Sequence, residues 1–188
     1  SGKHCVDFAK IAAFIEVHIE QSARLDNAVT DRVGVVTGIR GLIRHRTIQA
    51  IGETAHAGAV DFPYRKDAAL ACARFSSRLY DFWQHELSLG RDLVATTGVI
   101  RTSPSASMNK IAGECIVSLD ARSLSAAELN LFEKKVEAIL QETAEETGVI
   151  FKTDPLMRIA PVEADEGVMK KLETSADILK IGTQRMPS

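Results

Sequence analysis

The chain has 188 residues with a formal net charge of -2, and 45% of its residues are hydrophobic, which is enough for a buried core in one or two domains. The near-neutral charge gives no basic patch for nucleic acid or a membrane surface, and no apolar run reaches the ~20 residues that span a bilayer. The N-terminal SGKHCVDFAK lacks the apolar segment of a signal peptide. We therefore expect a cytoplasmic protein without a nucleic-acid or membrane partner.

The cysteines and isolated histidines predict no site of their own. Cys5, Cys72 and Cys115 are widely spaced, odd in number and outside any CxxC pair. This pattern is typical of reduced thiols and not of a disulfide framework or a cysteine zinc site. Three histidines without a partner pattern are interpreted as surface or packing residues: His4, His45 and His85.

Two strands are predicted near the N-terminus. FIEVHIEQ, residues 14–21, alternates apolar and polar residues at period two, and VGVV, residues 33–36, indicates a second short strand. The polar face of the first places His18 between two carboxylates, and Gln21 follows at once.

The middle of the chain predicts four strands and two helices. The strands are residues 42–53, 93–101, 114–121 and 149–159, the last interrupted by Pro155. The first helix covers residues 66–86, where apolar residues recur at three- and four-residue steps. The second begins at Ser125, where S-x-x-E with Glu128 forms a capping box, and ends near Gly148.

The resulting order, β-α-β-β-α-β over residues 40–160, predicts an α+β, ferredoxin-like unit. Its four-stranded antiparallel sheet should carry both helices on one face. The flanks, residues 1–39 and 161–188, are predicted to be two pieces of another domain into which this unit is inserted. The second flank should contain a helix with Val168, Leu172 and Ala176 facing inward.

Three stretches contain candidate functional residues, and each has a simpler interpretation. His18 could be a metal ligand or a solvated side chain on a strand. His56 in GETAHAG could act in a reaction or be only a loop residue. In MNKIAGECIVSLDARS, Asn109 could be a turn former, and Arg122 could be paired with Asp120 or exposed. A G-x-S-x-G elbow, a Gly-rich phosphate loop and an H-E-x-x-H helix are absent from the sequence.

Taken together, HIEQ, VGVVTGIRG, GETAHAG and R-K-D-A resemble, in order and spacing, the hydantoinase/carbamoylase-type amidohydrolases. These dinuclear metal enzymes include N-carbamoyl-L-amino-acid hydrolases, allantoate amidohydrolases and β-ureidopropionases, and are related to the zinc aminoacylases and carboxypeptidases. The resemblance covers residues 14–123 best. It implies that residues 40–160 form a lid and dimerisation domain, between catalytic-domain segments at 1–39 and 161–188.

The resemblance also implies roles for five residues. His18 would bind one of two divalent metal ions, zinc or manganese. Gln21, Asn109 and Arg122 would contact a small-molecule substrate, with Arg122 holding its carboxylate through the guanidinium fork. His56 would be catalytic, reaching across a homodimer formed by the lid domains to polarise the scissile carbonyl.

The sequence departs from the family pattern in several places. Ala59 to Phe62 read AVDF where the family often has Thr-Pro-Met, Ala112 replaces the proline of N-x-I-P-G, and Ser22 follows HIEQ in place of glycine. The family's remaining metal ligands and general base belong to segments before HIEQ and after the position of Ser188. We therefore expect this chain to be a fragment that binds no metal tightly by itself.

The leading hypothesis is the lid domain and flanks of a metal-dependent amidohydrolase that hydrolyses a C–N bond of N-carbamoyl amino acids or ureido acids. One alternative is an aminoacylase or dipeptidase of the same superfamily. The other is a non-catalytic ferredoxin-like dimerisation module.

Overall fold

A computed structural model of the chain describes residues 7–188, so His4 and Cys5 lie outside it. The chain divides into two compact units, one made of residues up to 38 together with 163–188, the other of residues 39–162. Over residues 7–188, no helix combines the length and the apolar composition needed to cross a bilayer.

The described residues contain twelve strands, three α-helices and two short 3-10 helices. The strands are β1 (Asp31–Val36), β2 (Gly38–Ile39), β3 (Gly41–Ile51), β4 (Ala55–His56), β5 (Val94–Thr96), β6 (Ile100–Thr102), β7 (Lys110–Ile111), β8 (Glu114–Ser123), β9 (Ile150–Thr153), β10 (Met157–Ile159), β11 (Val162–Glu163) and β12 (Gly182–Met186). The helices are α1 (Ala68–Ser88), α2 (Ala126–Thr147) and α3 (Glu166–Ile178), and the 3-10 helices are Phe8–Lys10 and Phe62–Tyr64.

A mixed α+β arrangement forms the unit of residues 39–162. Its sheet is built on the long antiparallel pair β3 and β8. Both β9 and β10 pair antiparallel with β3, and both β5 and β6 pair antiparallel with β8. The strand predicted at 149–159 is therefore present as β9 and β10 on either side of Pro155, and that predicted at 93–101 is present as β5 and β6.

Side-chain caps start the two long helices of this unit, and the glycine predicted at the end of the second is present. The Asp67 side chain accepts hydrogen bonds from two backbone N–H groups at the start of α1. Ser125 Oγ accepts from Glu128 N (3.3 Å) at the start of α2, but Ser125 N donates to Ser123 Oγ (2.9 Å) and not to the Glu128 side chain. Ser123 thus takes the place that the Glu128 side chain would have in a complete capping box. Gly148 ends α2 with a φ of 66°, a conformation that favours glycine.

One hydrophobic core lies between the sheet and these helices, which also pack on each other. The strands β3 and β8 alternate, so that one face is buried and the other carries polar residues. Cys72 and Cys115 are free thiols inside this core, as expected for reduced cysteines. Its largest buried side chains include Phe75 of α1, Leu119 of β8 and Phe132 of α2.

The other unit pairs β1 with β12 in parallel, and α3 packs against both strands. VGVV lies within β1, as predicted, and Val35 is buried. In α3 the buried residues are Met169 and Ala176, whereas Leu172, predicted to face inward, is exposed.

The strand predicted at residues 14–21 is wrong: this stretch has no regular secondary structure. Its apolar side chains are exposed, with Phe14 at 84% and Val17 at 97%. Alternation marks a strand only where a neighbouring strand takes up the backbone hydrogen bonds and a core covers the apolar face. Among the residues that the structure describes, no strand pairs with residues 14–21 and no core covers their apolar side chains.

Candidate active site

His56 stands at the end of β4, where β4 pairs antiparallel with β7 and sets His56 opposite Lys110. Gly58 N donates to His56 Nδ1 (3.1 Å), and Ala59 N donates to the His56 carbonyl (3.0 Å). Because Nδ1 accepts a hydrogen bond, a neutral ring carries its proton on Nε2. The side chain is exposed, so Nε2–H is available as a hydrogen-bond donor.

Asn109 is brought next to the His56 loop by the same strand pair. Ala57 N donates to the Asn109 carbonyl (2.9 Å), and Ser107 Oγ donates to Asn109 Oδ1 (2.8 Å). The amide oxygen is thus held by Ser107, and the Nδ2 group of this exposed residue is left as a donor. Two of the predicted site residues, His56 and Asn109, are thus neighbours across the end of the β4–β7 pair.

Arg65 holds the AVDF loop that follows His56. Its guanidinium donates to the Val60 carbonyl (2.8 Å) and the Ala57 carbonyl (2.5 Å). The loop's departure from the family sequence is therefore compatible with an anchored backbone. Ala112, a second departure, accepts from Ala68 N (2.8 Å) through its carbonyl, a contact that proline could make equally.

Gly113 lies between β7 and β8, close to the segment that joins β3 to β4. Gly52 N donates to the Gly113 carbonyl (2.9 Å). A Cβ at Gly113 would lie 2.3 Å from Thr54 Oγ1 and 2.7 Å from Thr54 N, both inside van der Waals contact. Glycine is required here because the β3–β4 segment, which leads to His56, approaches the backbone closely.

Arg122 projects from the exposed face of β8 and is paired with Asp120, one of the two possibilities that the sequence left open. Arg122 Nε donates to Asp120 Oδ1 (2.7 Å), and Nη2 lies 3.5 Å from Oδ2. Arg44 Nε, from β3, donates to Asp120 Oδ2 (2.7 Å), and Arg44 Nη2 contacts the same oxygen. Burial raises the pKa of Asp120, but the hydrogen bonds from Arg122 and Arg44 outweigh it and hold the pKa below its ordinary value.

Arg44 is a residue of this cluster that was not predicted from the sequence. A signal for it existed, because Arg44 and Asp120 are directly opposite in the β3–β8 register and both point away from the core. That register could not be read from the weak alternation of β3.

His56 and Arg122 lie toward opposite ends of the sheet within one chain. Arg122 follows Glu114 by eight residues of β8, a span of about 26 Å at ~3.3 Å per residue. The pairing of His56 with Lys110 lies beyond Glu114, on the side away from Arg122. The structure therefore brings His56 to Asn109 but not to Arg122.

His18 and Gln21 belong to the other unit and are exposed. His18 Nδ1 lies 2.6 Å from the Ile19 carbonyl, which makes Nδ1 the protonated nitrogen and leaves the lone pair on Nε2. That tautomer suits a metal ligand. The neighbouring Glu20 carboxylate accepts from Arg24 N (2.9 Å) and Leu25 N (3.0 Å). A bond from the Ser22 hydroxyl is the main cause that lowers its pKa.

His18 is not part of a complete metal site formed by residues 7–188. Across residues 7–188, no group of three or more His, Cys, Asp or Glu side chains is placed to hold a metal ion. The metal role predicted for His18 therefore needs further ligands beyond those that these residues group together.

Known proteins resemble the chain along most of its length. It is 31% identical to the ureidoglycolate hydrolase of Arabidopsis thaliana over 182 residues (94% of this chain, 36% of the relative). It is 32% identical to the allantoate amidohydrolase of Bacillus subtilis over 156 residues (83% and 36%). A hydantoinase/carbamoylase family amidase from Burkholderia ambifaria superposes with a TM-score of 0.80 at 27% identity, over 91% of this chain and 40% of that one.

The chain belongs to the hydantoinase/carbamoylase family of amidohydrolases. No protein-family model matches it. It spans about two fifths of the length of its relatives in the family. Its membership confirms the resemblance inferred from HIEQ, GETAHAG and the segments between them. The roles of His18, Gln21, His56, Asn109 and Arg122 stay predictions.

Proposed function

We propose that the full-length family member containing this chain hydrolyses a C–N bond of an N-carbamoyl amino acid or a ureido acid. The observation that carries the proposal is the likeness, over most of this chain, to an allantoate amidohydrolase and a ureidoglycolate hydrolase. An aminoacylase or dipeptidase activity and a non-catalytic dimerisation module are the competing functions.

In the proposal His18 is a ligand to one of two divalent metal ions, zinc or manganese, whose other ligands lie outside this chain. Its tautomer supports this role, since Nδ1 is bound to the Ile19 carbonyl and Nε2 carries the lone pair. Bound divalent ions would supply Lewis-acid activation of the hydrolysis.

His56 would stabilise the charge that develops on the carbonyl oxygen during attack. The Gly58 N–H bond to Nδ1 supports this role, because it fixes the ring so that Nε2–H is the outward donor. A donor held in place before the reaction needs no reorganisation as the negative charge forms.

Arg122, Asn109 and Gln21 would orient the substrate. Arg122 keeps part of its guanidinium edge exposed while Asp120 holds the Nε side, which supports recognition of a carboxylate. Asn109 would add a donor through Nδ2 because its Oδ1 is held by Ser107.

Residues 39–162 would be the family's ferredoxin-like lid and dimerisation domain. The pairing supports this: β9 and β10 together occupy one sheet position beside β3, and β5 and β6 occupy one position beside β8. Read in this way, the sheet has four antiparallel positions in the order fourth, first, third, second, with helices after the first and third.

We further propose that two lids pair, so that His56 acts in the site of the partner subunit. The separation of His56 from Arg122 by more than about 25 Å of sheet supports this, because one small substrate cannot reach both within one lid. The loop beside His56 also exposes Phe62 (71%) and Tyr64 (76%), and large exposed apolar side chains are typical of surfaces that a partner covers.

A substrate panel on the full-length enzyme tests the reaction class. Ureido and N-carbamoyl acids are compared with N-acyl amino acids and dipeptides by kcat/KM, with the metal content held constant. The proposal expects the carbamoyl or ureido group to be preferred. Preference for acyl substrates would support the aminoacylase or dipeptidase alternative, and hydrolysis of none would support the non-catalytic module.

Subunit mixing tests the action of His56 across the dimer. His56→Ala and His18→Ala subunits are each inactive or nearly so in the proposal, but a heterodimer regains one working site. The activity of the mixture is compared with that of each parent after subunit exchange has been verified with labelled subunits. No recovery despite exchange would exclude the cross-subunit role.

A further inference from the structure

Asp120 lies between two arginines and divides its carboxylate oxygens between them. Oδ1 accepts from Arg122 Nε (2.7 Å), and Oδ2 accepts from Arg44 Nε (2.7 Å). All three side chains stand on the face of the β3–β8 pair opposite the helices, where they are partly exposed.

The contact with Asp120 fixes which edge of the Arg122 guanidinium is available. Its Nε and Nη2 face the carboxylate, so the Nη1 side remains for a bound anion. A side chain with several rotatable bonds loses less entropy on binding when it is already held in one orientation.

The same contact would cancel the charge of Arg122 if it stood alone. An arginine–aspartate pair is neutral, and a neutral pair attracts a carboxylate weakly. Arg44 restores a net charge of one positive unit to the cluster, because its guanidinium stays protonated at all working pH values. With two arginines around one aspartate, the Arg122 guanidinium is held in one orientation and the cluster still attracts an anion.

We propose that Asp120 and Arg44 are positioning residues for a monoanionic carboxylate substrate held by Arg122. Asp120 orients the guanidinium, and Arg44 offsets the negative charge that this orientation introduces. The inference rests on the proposed function in one respect, the role of Arg122 as the carboxylate clamp.

The test uses the full-length enzyme and two substrates that differ in one group, a charged carboxylate in one and its neutral carboxamide in the other. Arg44→Met should raise KM for the carboxylate about tenfold, the effect of one charge ~8 Å away at an effective dielectric constant of ~30, with kcat within about twofold. KM for the carboxamide should not change, whereas a merely structural role would move both substrates. Arg44→Lys should restore KM for the carboxylate.

Arg101→Met is the matched control. Arg101 lies on β6, paired with Ile116 of β8, and its removal takes the same charge from the same sheet at a distance from Arg122. We expect the KM of Arg101→Met for the carboxylate to equal that of the wild type. An equal rise in KM for Arg101→Met and Arg44→Met would indicate general surface charge and overturn the proposal.

Asp120→Asn separates orientation from charge. Loss of the negative charge alone would lower KM for the carboxylate, whereas loss of the oriented fork raises it. We expect a higher KM, and an unchanged or lower value would overturn the positioning role of Asp120. If Arg122→Ala leaves KM unchanged, the clamp itself is wrong; if Arg122→Ala raises KM and Arg44→Met does not, only this inference is overturned.

Discussion

Replacing Gly113 by alanine should destabilise the chain by about 1–3 kcal/mol, the usual cost of forcing an extra carbon into a close-packed contact. The new Cβ would lie 2.7 Å from Thr54 N, a backbone atom that cannot rotate away, and 2.3 Å from Thr54 Oγ1. Relief requires the β3–β4 segment to move away from β7, which also strains the bond from Gly52 N to the Gly113 carbonyl.

Gly98→Ala provides the matched control. Its added Cβ would meet only Thr96 Cγ2, at 3.9 Å, and its φ lies outside the left-handed region. The substitution should therefore stabilise the chain by ~0.4–1 kcal/mol, because alanine has fewer conformations than glycine in the unfolded chain. The same chemical change thus has opposite signs at the two positions.

Urea unfolding followed by tryptophan fluorescence measures both variants. Trp83 is the single tryptophan of the chain. It is partly buried against the core, and its Nε1 donates to the Leu93 carbonyl (2.8 Å), so its fluorescence reports on the core. We expect a lower midpoint for Gly113→Ala and an equal or higher one for Gly98→Ala, with unchanged slopes. Equal midpoints for the two variants would refute the close approach at Gly113.

Other predictions concern the site and the pH dependence. In steady-state assays of the full-length enzyme, His56→Ala should lower kcat about 10²–10³-fold with little change in KM. A normal kcat for His56→Ala would remove His56 from the mechanism. Arg122→Ala should mainly raise KM. This chain alone should bind no stoichiometric metal, since His18 is its single expected ligand, and two metals per chain in an elemental analysis would contradict this. Burial raises the pKa of Asp154, but bonds from His45 and two backbone N–H groups outweigh it and lower the pKa. The stability that these bonds add is present above about pH 4 and lost as the pH falls through the folded pKa, so Asp154→Asn should flatten the urea midpoint against pH in that range.

Local signals in the sequence were sufficient for the helices of residues 39–162. Ser125 and Gly148 mark the ends of α2 through a hydroxyl acceptor and a positive φ, features that act within a few residues of the chain. The alternation of β8 likewise predicted its buried face, because that strand lies in the middle of a sheet with helices on one side only.

Residues 14–21 show where such signals fail. Their alternation is as regular as that of β8, yet they form no strand, since pairing is a property of the neighbouring segments and not of the stretch itself. The tautomer of His18 and the turn around Glu20 come from backbone contacts that no periodicity encodes.

The weak alternation of β3 has a specific cause, which also directs Arg44 toward Asp120. Four residues of β3, His45 to Ile48, lie opposite three residues of β8, Val117 to Leu119, so one extra residue forms a bulge. Asp154 holds it by accepting from the backbone N of Arg46 (3.1 Å) and of Thr47 (3.3 Å). Without the bulge, Arg44 and Ile48, which are four residues apart, would face the same side of β3, because side chains alternate strictly along an unbroken strand. The bulge allows β3 to bury Ile48 while Arg44 faces the opposite side. The same strand can therefore pack in the core and place a positive charge at the proposed carboxylate site.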